Sequence, residues 1–257
     1  MRIKKIIPGV DSRLLIKDAG KLLPDPLRRN FLRGAASLGA LTFLTGCDII
    51  DGDTAEGVLR KISAFNDGAQ AALFSGTKLA PTFAESAITK PFPFNAYYDE
   101  DEAPEVDVKT WKLDVSGLVD NKKPWTLDEL NELPQVSQIT RHVCVEGWSA
   151  IGSWQGVQLS EFLTRIGADT NAKYIWFKCA EGYTNTIDMP TALHPQTQMT
   201  LKFANQVLPR AYGFPMKIRI PTKLGFKNPK YVVAMEVTNT DRGGYWENQG
   251  YNWFSGL

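Results

Sequence analysis

Near the C-terminus, Tyr231-Val232-Val233-Ala234-Met235-Glu236-Val237 forms a nearly continuous apolar run. It is far too short to cross a bilayer, and its β-branched content reads as a strand covered on both faces. A central strand needs neighbours, and the chain supplies them. Tyr174 to Cys179 and Lys217 to Ile220 are strand-like, as is Ile139 to Val145. Trp111, Leu113 and Val115 alternate as in a half-buried strand that ends at Gly117. Helices between these runs are short. Thr126 and Glu129 form a capping box for Thr126 to Leu133, which Pro134 stops, and Ser160 is expected to cap Ser160 to Ile166 ahead of Gly167.

Upstream, residues 55–75 have helical spacing, with Val58, Leu59, Ile62 and Phe65 on one face, followed by Ala69, Ala72 and Leu73. From Leu79 to Pro104, Pro81, Pro91, Pro93 and Pro104 bar regular helix, so this segment is expected to lie extended over a folded body. The pattern predicts an α+β fold, a mixed β-sheet with short helices. No internal repeat or interior linker interrupts it, so residues 48–257 are expected to form a single domain.

Charge excludes one functional class. The chain has 257 residues with 29 Lys+Arg against 28 Asp+Glu, a net charge of +1, without the basic excess of a nucleic-acid binder. Three cysteines are too few for a disulfide scaffold, and the odd count leaves a thiol for other work.

The N-terminal residues 1–47 have the parts of an export signal. Arg28-Arg29-Asn30-Phe31-Leu32-Arg33 precedes a mildly apolar run from Ala35 to Thr45, and Leu44-Thr45-Gly46-Cys47 follows. A weak apolar segment beside paired arginines resembles a twin-arginine signal, which exports folded proteins. Leu44-Thr45-Gly46-Cys47 resembles a lipoprotein box. The expected location is therefore the periplasm, with anchorage to the inner membrane through Cys47.

Chemistry concentrates in Arg141-His142-Val143-Cys144-Val145-Glu146-Gly147-Trp148-Ser149. Here a cysteine leaves a strand and enters a glycine-containing turn, where side chains can project into a cavity. Arg141 and His142 would favour its thiolate, and Glu146 would oppose it. Residue types alone leave a reactive Cys144, a buried small hydrophobe, a Cys144–Cys179 disulfide and a Cys/His hydrolase all open. A second feature is a basic stretch in which Arg210, Lys217, Arg219, Lys223, Lys227 and Lys230 occur with no Asp or Glu between Pro209 and Lys230. It reads as an anion cradle or as a solvated hairpin. His194, one of two histidines, reads on its own as a structural or surface residue.

Taken in order, these segments resemble the sulfite oxidase family of molybdenum-cofactor enzymes. The resemblance rests on the Cys144 segment, Trp154-Gln155-Gly156-Val157, Ala180-Glu181-Gly182-Tyr183, Ala192-Leu193-His194-Pro195, Lys223-Leu224-Gly225-Phe226-Lys227 and Gly244-Tyr245-Trp246-Glu247. Ordered agreement of several segments is more specific than any one alone.

The resemblance implies molybdenum on a molybdopterin, with Cys144 as the protein ligand and therefore a catalytic residue. Glu146 would handle protons, and Arg141 would act electrostatically. Asn95, Tyr98, Asp99, Cys179, His194, Tyr212, Lys217, Lys223, Asn228, Pro229 and Lys230 would contact the cofactor. Two-electron oxo transfer is the implied reaction. The chain most resembles the periplasmic methionine-sulfoxide-reducing branch, whose electrons come from a membrane haem partner. Oxidation of sulfite or another small oxyanion is the alternative within the class, and a cofactor-free scaffold lipoprotein is the alternative outside it. Ala96, Tyr212 and Lys217 depart from the branch pattern, which bears on the substrate more than on the cofactor.

Overall fold

A computed structural model describes residues 52–257. Two compact units are present, Met1–Leu59 and Arg60–Leu257. Of the first, only the opening of a helix lies within the described residues. The expected export signal and lipidation site at residues 28–47 lie outside them. The sheets and the cleft belong to the second unit.

One sheet has the order β1-β9-β4-β5, built from β1 (Asp114–Gly117), β9 (Val232–Thr238), β4 (Tyr174–Cys179) and β5 (Thr184–Asp188). β1 runs parallel to β9, and the other pairings are antiparallel, so this sheet is mixed. The apolar run at 231–237 occupies an interior position, as its composition predicts. The other sheet is antiparallel: β2 (Val136–Val143), β3 (Ser149–Gln158), β6 (Gln198–Phe203) and β7 (Gln206–Val207), with β8 (Lys217–Arg219) also paired to β6. Period-2 burial makes Ile175, Phe177 and Cys179 core residues along β4. A smaller cluster of Phe92, Ala150, Trp154 and Leu208 lies beneath the proline-rich segment.

Short helices close the ends. At α2 (Leu127–Asn131) the capping box forms as expected: Glu129 N donates to Thr126 Oγ1 (3.3 Å), and Thr126 N donates to the Glu129 carboxylate (2.8 Å). In contrast, α3 (Leu159–Arg165) is capped by Gln158 and not by Ser160, with no side-chain bond. Leu159 N donates to Thr197 O on another segment (2.9 Å), so tertiary pairing sets where this helix starts. A further short helix, α4 (Met189–Leu193), leads into His194.

The long helix α1 (Gly52–Leu73) matches the expected helical spacing, but its apolar face is solvent-facing: Phe65 is 75% and Leu73 86% exposed. The helix is held by its other face. Asp67 accepts from Phe254 N (2.7 Å) and Trp253 N (3.3 Å), and Gln70 accepts from Gly256 N (3.0 Å).

Candidate active site

Beyond Val143 the chain turns sharply. Cys144 N donates to Trp148 O (2.9 Å) and Gly147 N to Cys144 O (3.1 Å), with Gly147 at φ +95°, a conformation that L side chains rarely adopt. The turn lifts Cys144 and Glu146 into a cleft of about 90 Å³. Asn95, Tyr97 and Tyr98 come from the proline-rich strap, and Glu181 and Tyr183 from the turn after β4. Asn228, Pro229 and Lys230, from the loop before β9, complete it with Trp246.

Cys144 is 5% exposed, and its sulfur is the soft donor of this cleft. Asn95 Nδ2 donates to Sγ at 3.3 Å, and Sγ lies 3.7 Å from Glu146 Oε2. Trp148 Nε1 donates to the same carboxylate oxygen at 2.9 Å. Burial pushes the Cys144 thiol up, and the Glu146 carboxylate adds to the rise despite backbone N–H groups that lower it. The expectation that Arg141 and His142 favour the thiolate is therefore reversed. Arg141 leaves the opposite face of β2 and lies over the Phe83 ring (5.4 Å), lining a separate groove. His142 is held neutral by burial and by Arg219, Lys217 and Lys230 around it. Cys144 and Cys179 are both free thiols.

The basic stretch is not a solvated hairpin. Lys217, Arg219, Lys223 and Lys227 are all buried. Lys217 lies over the Trp154 ring at 4.8 Å, and Arg219 donates to Asn228 Oδ1 (2.9 Å) and Arg141 O (2.6 Å). Lys230 donates to Ala211 O (3.2 Å) and lies 4.5 Å over the Phe94 ring. Burial and mutual repulsion lower Lys217 well below the lysine range, and burial brings Arg219 down to about 9. Lys230 falls to about 8 by burial, with Glu181 opposing the fall. Among the described residues, no carboxylate is hydrogen-bonded to these three cations. A fourth, Lys227, pairs with Glu247 and donates to Thr186 O (2.7 Å).

Seven of the expected residues thus line the cleft: Asn95, Tyr98, Cys144, Glu146, Asn228, Pro229 and Lys230. The others lie elsewhere. Cys179 is in the main core, and Asp99 is exposed at the head of the Glu100–Glu102 turn. His194 Nδ1 accepts from Gln196 N (3.2 Å) while Nε2 meets Lys78 O (3.0 Å), a structural role. Tyr212 donates to Phe92 O (2.7 Å), and Lys223 donates to Phe254 O (2.9 Å). Lys217 stands behind the cleft wall beside Arg219, and Arg141 faces away. Tertiary packing takes Asp99, Arg141, Cys179, His194, Tyr212 and Lys223 out of the cleft lining, and Lys217 stays coupled to it through Arg219 and Lys230.

Glu181 also enters the site, a residue of the Ala180-Glu181-Gly182-Tyr183 segment for which the sequence suggested no role. Burial raises its carboxyl to about 7, against the lowering influence of its own backbone N–H and Lys230, and its Oε2 is buried without a hydrogen-bond partner. The signal available in sequence was its position, at the end of a strand and just before Gly182.

A molybdopterin fits this donor set. A thiolate is the ligand type that soft metals select, and buried ammonium and guanidinium groups without counter-ions suit a phosphate. Arg219 Nε and both His142 ring nitrogens are buried without hydrogen-bond partners among the described residues. Gly225 packs against the same histidine, where a β-carbon would stand 2.6 Å from His142 Nε2. Unsatisfied polar groups gathered in one place mark a polar ligand.

Comparison with known proteins agrees. The family described as "Oxidoreductase molybdopterin binding domain" matches residues 100–246, more than half of the chain. The chain is 59% identical over 240 residues to the "Putative protein-methionine-sulfoxide reductase subunit YedZ1" of Azospira oryzae, covering 93% of this chain and 92% of that protein. It is 30% identical over 158 residues to the "Protein-methionine-sulfoxide reductase catalytic subunit MsrP" of Burkholderia mallei, covering 55% of this chain and about half (48%) of that protein. Among solved structures, the sulfane dehydrogenase SoxCD of Paracoccus pantotrophus superposes with a TM-score of 0.51 at 17% identity, over 54% of this chain and 40% of that one, a likeness of fold. The chain therefore belongs to the molybdopterin-binding oxidoreductase family, an enzyme with molybdopterin as its cofactor.

Proposed function

We propose that this chain is the catalytic subunit of a periplasmic reductase that converts methionine sulfoxide to methionine. One observation carries the reading: a single thiol in a cleft, Asn95 Nδ2 at 3.3 Å, backed by the buried Lys217 and Arg219. When bound there, the molybdenum group supplies two-electron oxygen-atom transfer. Reduction of a sulfoxide consumes two electrons and two protons and yields a thioether and water.

The chain's own residues provide placement and protons. Cys144 holds the metal, and Asn95 orients its sulfur. Lys217, Arg219 and Lys230 neutralise the phosphate-bearing end of the cofactor, with Asn228 fixing the Arg219 guanidinium. Glu181, at about 7, exchanges a proton near neutral pH and is the candidate proton donor to the leaving oxygen. Glu146 is held beside the sulfur by the Trp148 indole N–H. Electrons are proposed to come from a partner subunit, in keeping with the relatives' description as subunits of a reductase. A membrane haem protein is the proposed donor. Export in the folded state by the twin-arginine pathway and acylation of Cys47 complete the reading, supported by Arg28-Arg29 and Leu44-Thr45-Gly46-Cys47.

Elemental analysis and dye-linked kinetics test it. The purified chain is expected to carry about one molybdenum and to oxidise a reduced dye with methionine sulfoxide, and not to reduce a dye with sulfite. Cys144→Ser should remove metal and turnover while leaving the circular dichroism unchanged. A metal-free chain, or full turnover in Cys144→Ser, would sink the proposal. Replacement of Arg28 and Arg29 by Lys should leave the protein in the cytoplasm.

A further inference from the structure

An amphipathic helix of a globular domain buries its apolar stripe and turns its polar face to water. Helix α1 does the reverse. Its polar face is tied to the domain through Asp67 and Gln70, and its apolar stripe looks outward: Ile62 is 51%, Phe65 75% and Leu73 86% exposed. Leu79, in the segment that follows, is 57% exposed. Large apolar side chains held in one row in water are unfavourable, and such a row marks a surface with a cover.

The stripe runs into a groove. Leu73 and Leu79 belong to its lining, and Phe74, Pro81, Phe83, Val143 and Pro221 give it apolar walls around a volume of about 670 Å³. That is the size and character of a site for a small amphiphile. Two cations, Lys78 and Arg141, stand in the same lining, which contains no Asp or Glu. Among the described residues neither forms an ion pair. Thr222, also in the lining, has a buried hydroxyl without a hydrogen-bond partner among the described residues. The groove shares no lining residue with the catalytic cleft, so it is a site of its own.

The cover must be apolar along the helix and anionic at Lys78 and Arg141. A leaflet of anionic lipid has both parts: acyl chains for the stripe, and a phosphate for two cations that lack a counter-ion. An acyl group on Cys47, five residues before the helix, would hold the chain at such a surface. We propose that α1 and the groove of Lys78 and Arg141 form a membrane-seating surface, in which the stripe enters the acyl boundary and the groove takes an anionic phospholipid headgroup. The reaction does not use this surface, so the inference stands apart from the reductase reading.

The test uses the full chain carrying Cys47→Ser, so that no acyl group contributes. Vesicles are of phosphatidylcholine alone and of phosphatidylcholine mixed equally with phosphatidylglycerol. Cosedimentation is expected to show binding to the anionic vesicles that weakens with added salt. Phe65→Ser combined with Leu73→Ser should weaken it more than about tenfold. Lys78→Gln should weaken it about fivefold, on anionic vesicles only. All variants keep the residues before the helix, so these differences belong to the surface and not to the leader, and the circular dichroism of each should match the parent. Dihexanoyl phosphatidylglycerol, kept below its micelle-forming concentration, reads the groove alone: it should raise the Tm of the parent and not that of Lys78→Gln combined with Arg141→Gln. Equal binding by parent and variants, or no preference for anionic vesicles, would overturn the inference. So would a chain that ignores vesicles and is instead joined to a membrane protein by a photo-crosslinker in place of Leu79, which would give the surface to a protein partner.

Discussion

Lys227 and Glu247 form an ion pair in the interior, and the same carboxylate oxygen accepts from Asn185 Nδ2 at 2.9 Å. The pair ties the loop before β9 to the segment that carries Trp246, so it joins two walls of the cleft. Burial lowers the Lys227 pKa, and Glu247 opposes that shift. Removing one partner leaves an uncompensated buried charge. Glu247→Leu is expected to cost about 3–5 kcal/mol, and the double variant with Lys227→Met should recover most of it. Urea unfolding of the three proteins checks this; additive losses would be the contrary result.

A second constraint is steric. A β-carbon at Gly225 would stand 2.6 Å from His142 Nε2 and 3.3 Å from Val143 O. Both belong to strand β2 just ahead of Cys144, so the loop cannot step back without opening the cleft. Gly225→Ala is expected to destabilise the protein by about 1–3 kcal/mol. Molybdenum content should fall in parallel, measured per chain against wild type.

The pH dependence turns on Glu181. Its carboxyl is raised to about 7, chiefly by burial, so the folded state holds this proton more tightly than the unfolded chain does. The corresponding stability is fully present below the usual glutamate range and is lost as pH rises through about 7. Between pH 6 and 8 the Tm of wild type should fall relative to that of Glu181→Gln. The same substitution should lower kcat about 10²- to 10⁴-fold and remove the limb near pH 7 from the rate profile. Steady-state kinetics across pH 5.5–8.5 decide, and an unchanged limb would take the proton-donor role from this residue.

Lys217 provides a test in which two readouts move in opposite directions. It is buried beside Arg219 and Lys230, and all three carry the same sign. Lys217→Met keeps the volume and removes one unit of repulsion. The cofactor-free protein should gain a few degrees in Tm. The loaded protein should lose cofactor faster on dilution, because an anion loses a partner. Thermal scans of both forms, with pterin fluorescence for release, measure the two effects.

Local features of this protein were legible from neighbouring residues alone. The interior strand at 231–237, the Thr126–Glu129 capping box and the turn around Cys144 depend on side chains within a few positions of each other. The cofactor was implied by the ordered resemblance of several segments to a known family; the residue types alone left Cys144 and the basic loop open. Ser160 failed as a cap because a hydrogen bond to Thr197, far along the chain, set the helix start.

Direction and burial were another matter. The amino-acid order by itself determined a mixed-sheet α+β domain, a thiol in a turn and a concentration of lysines. Only the tertiary structure decided that Arg141 faces away from that thiol, that His194 is tied to Lys78 O, and that Lys217, Lys223 and Lys227 are interior. It also gathered Asn95, Glu181, Lys230 and Trp246 around Cys144. The physical reason is that a charge or a ring acquires its role from the groups packed against it. Those groups arrive from distant parts of the chain, so no run of consecutive residues contains the information.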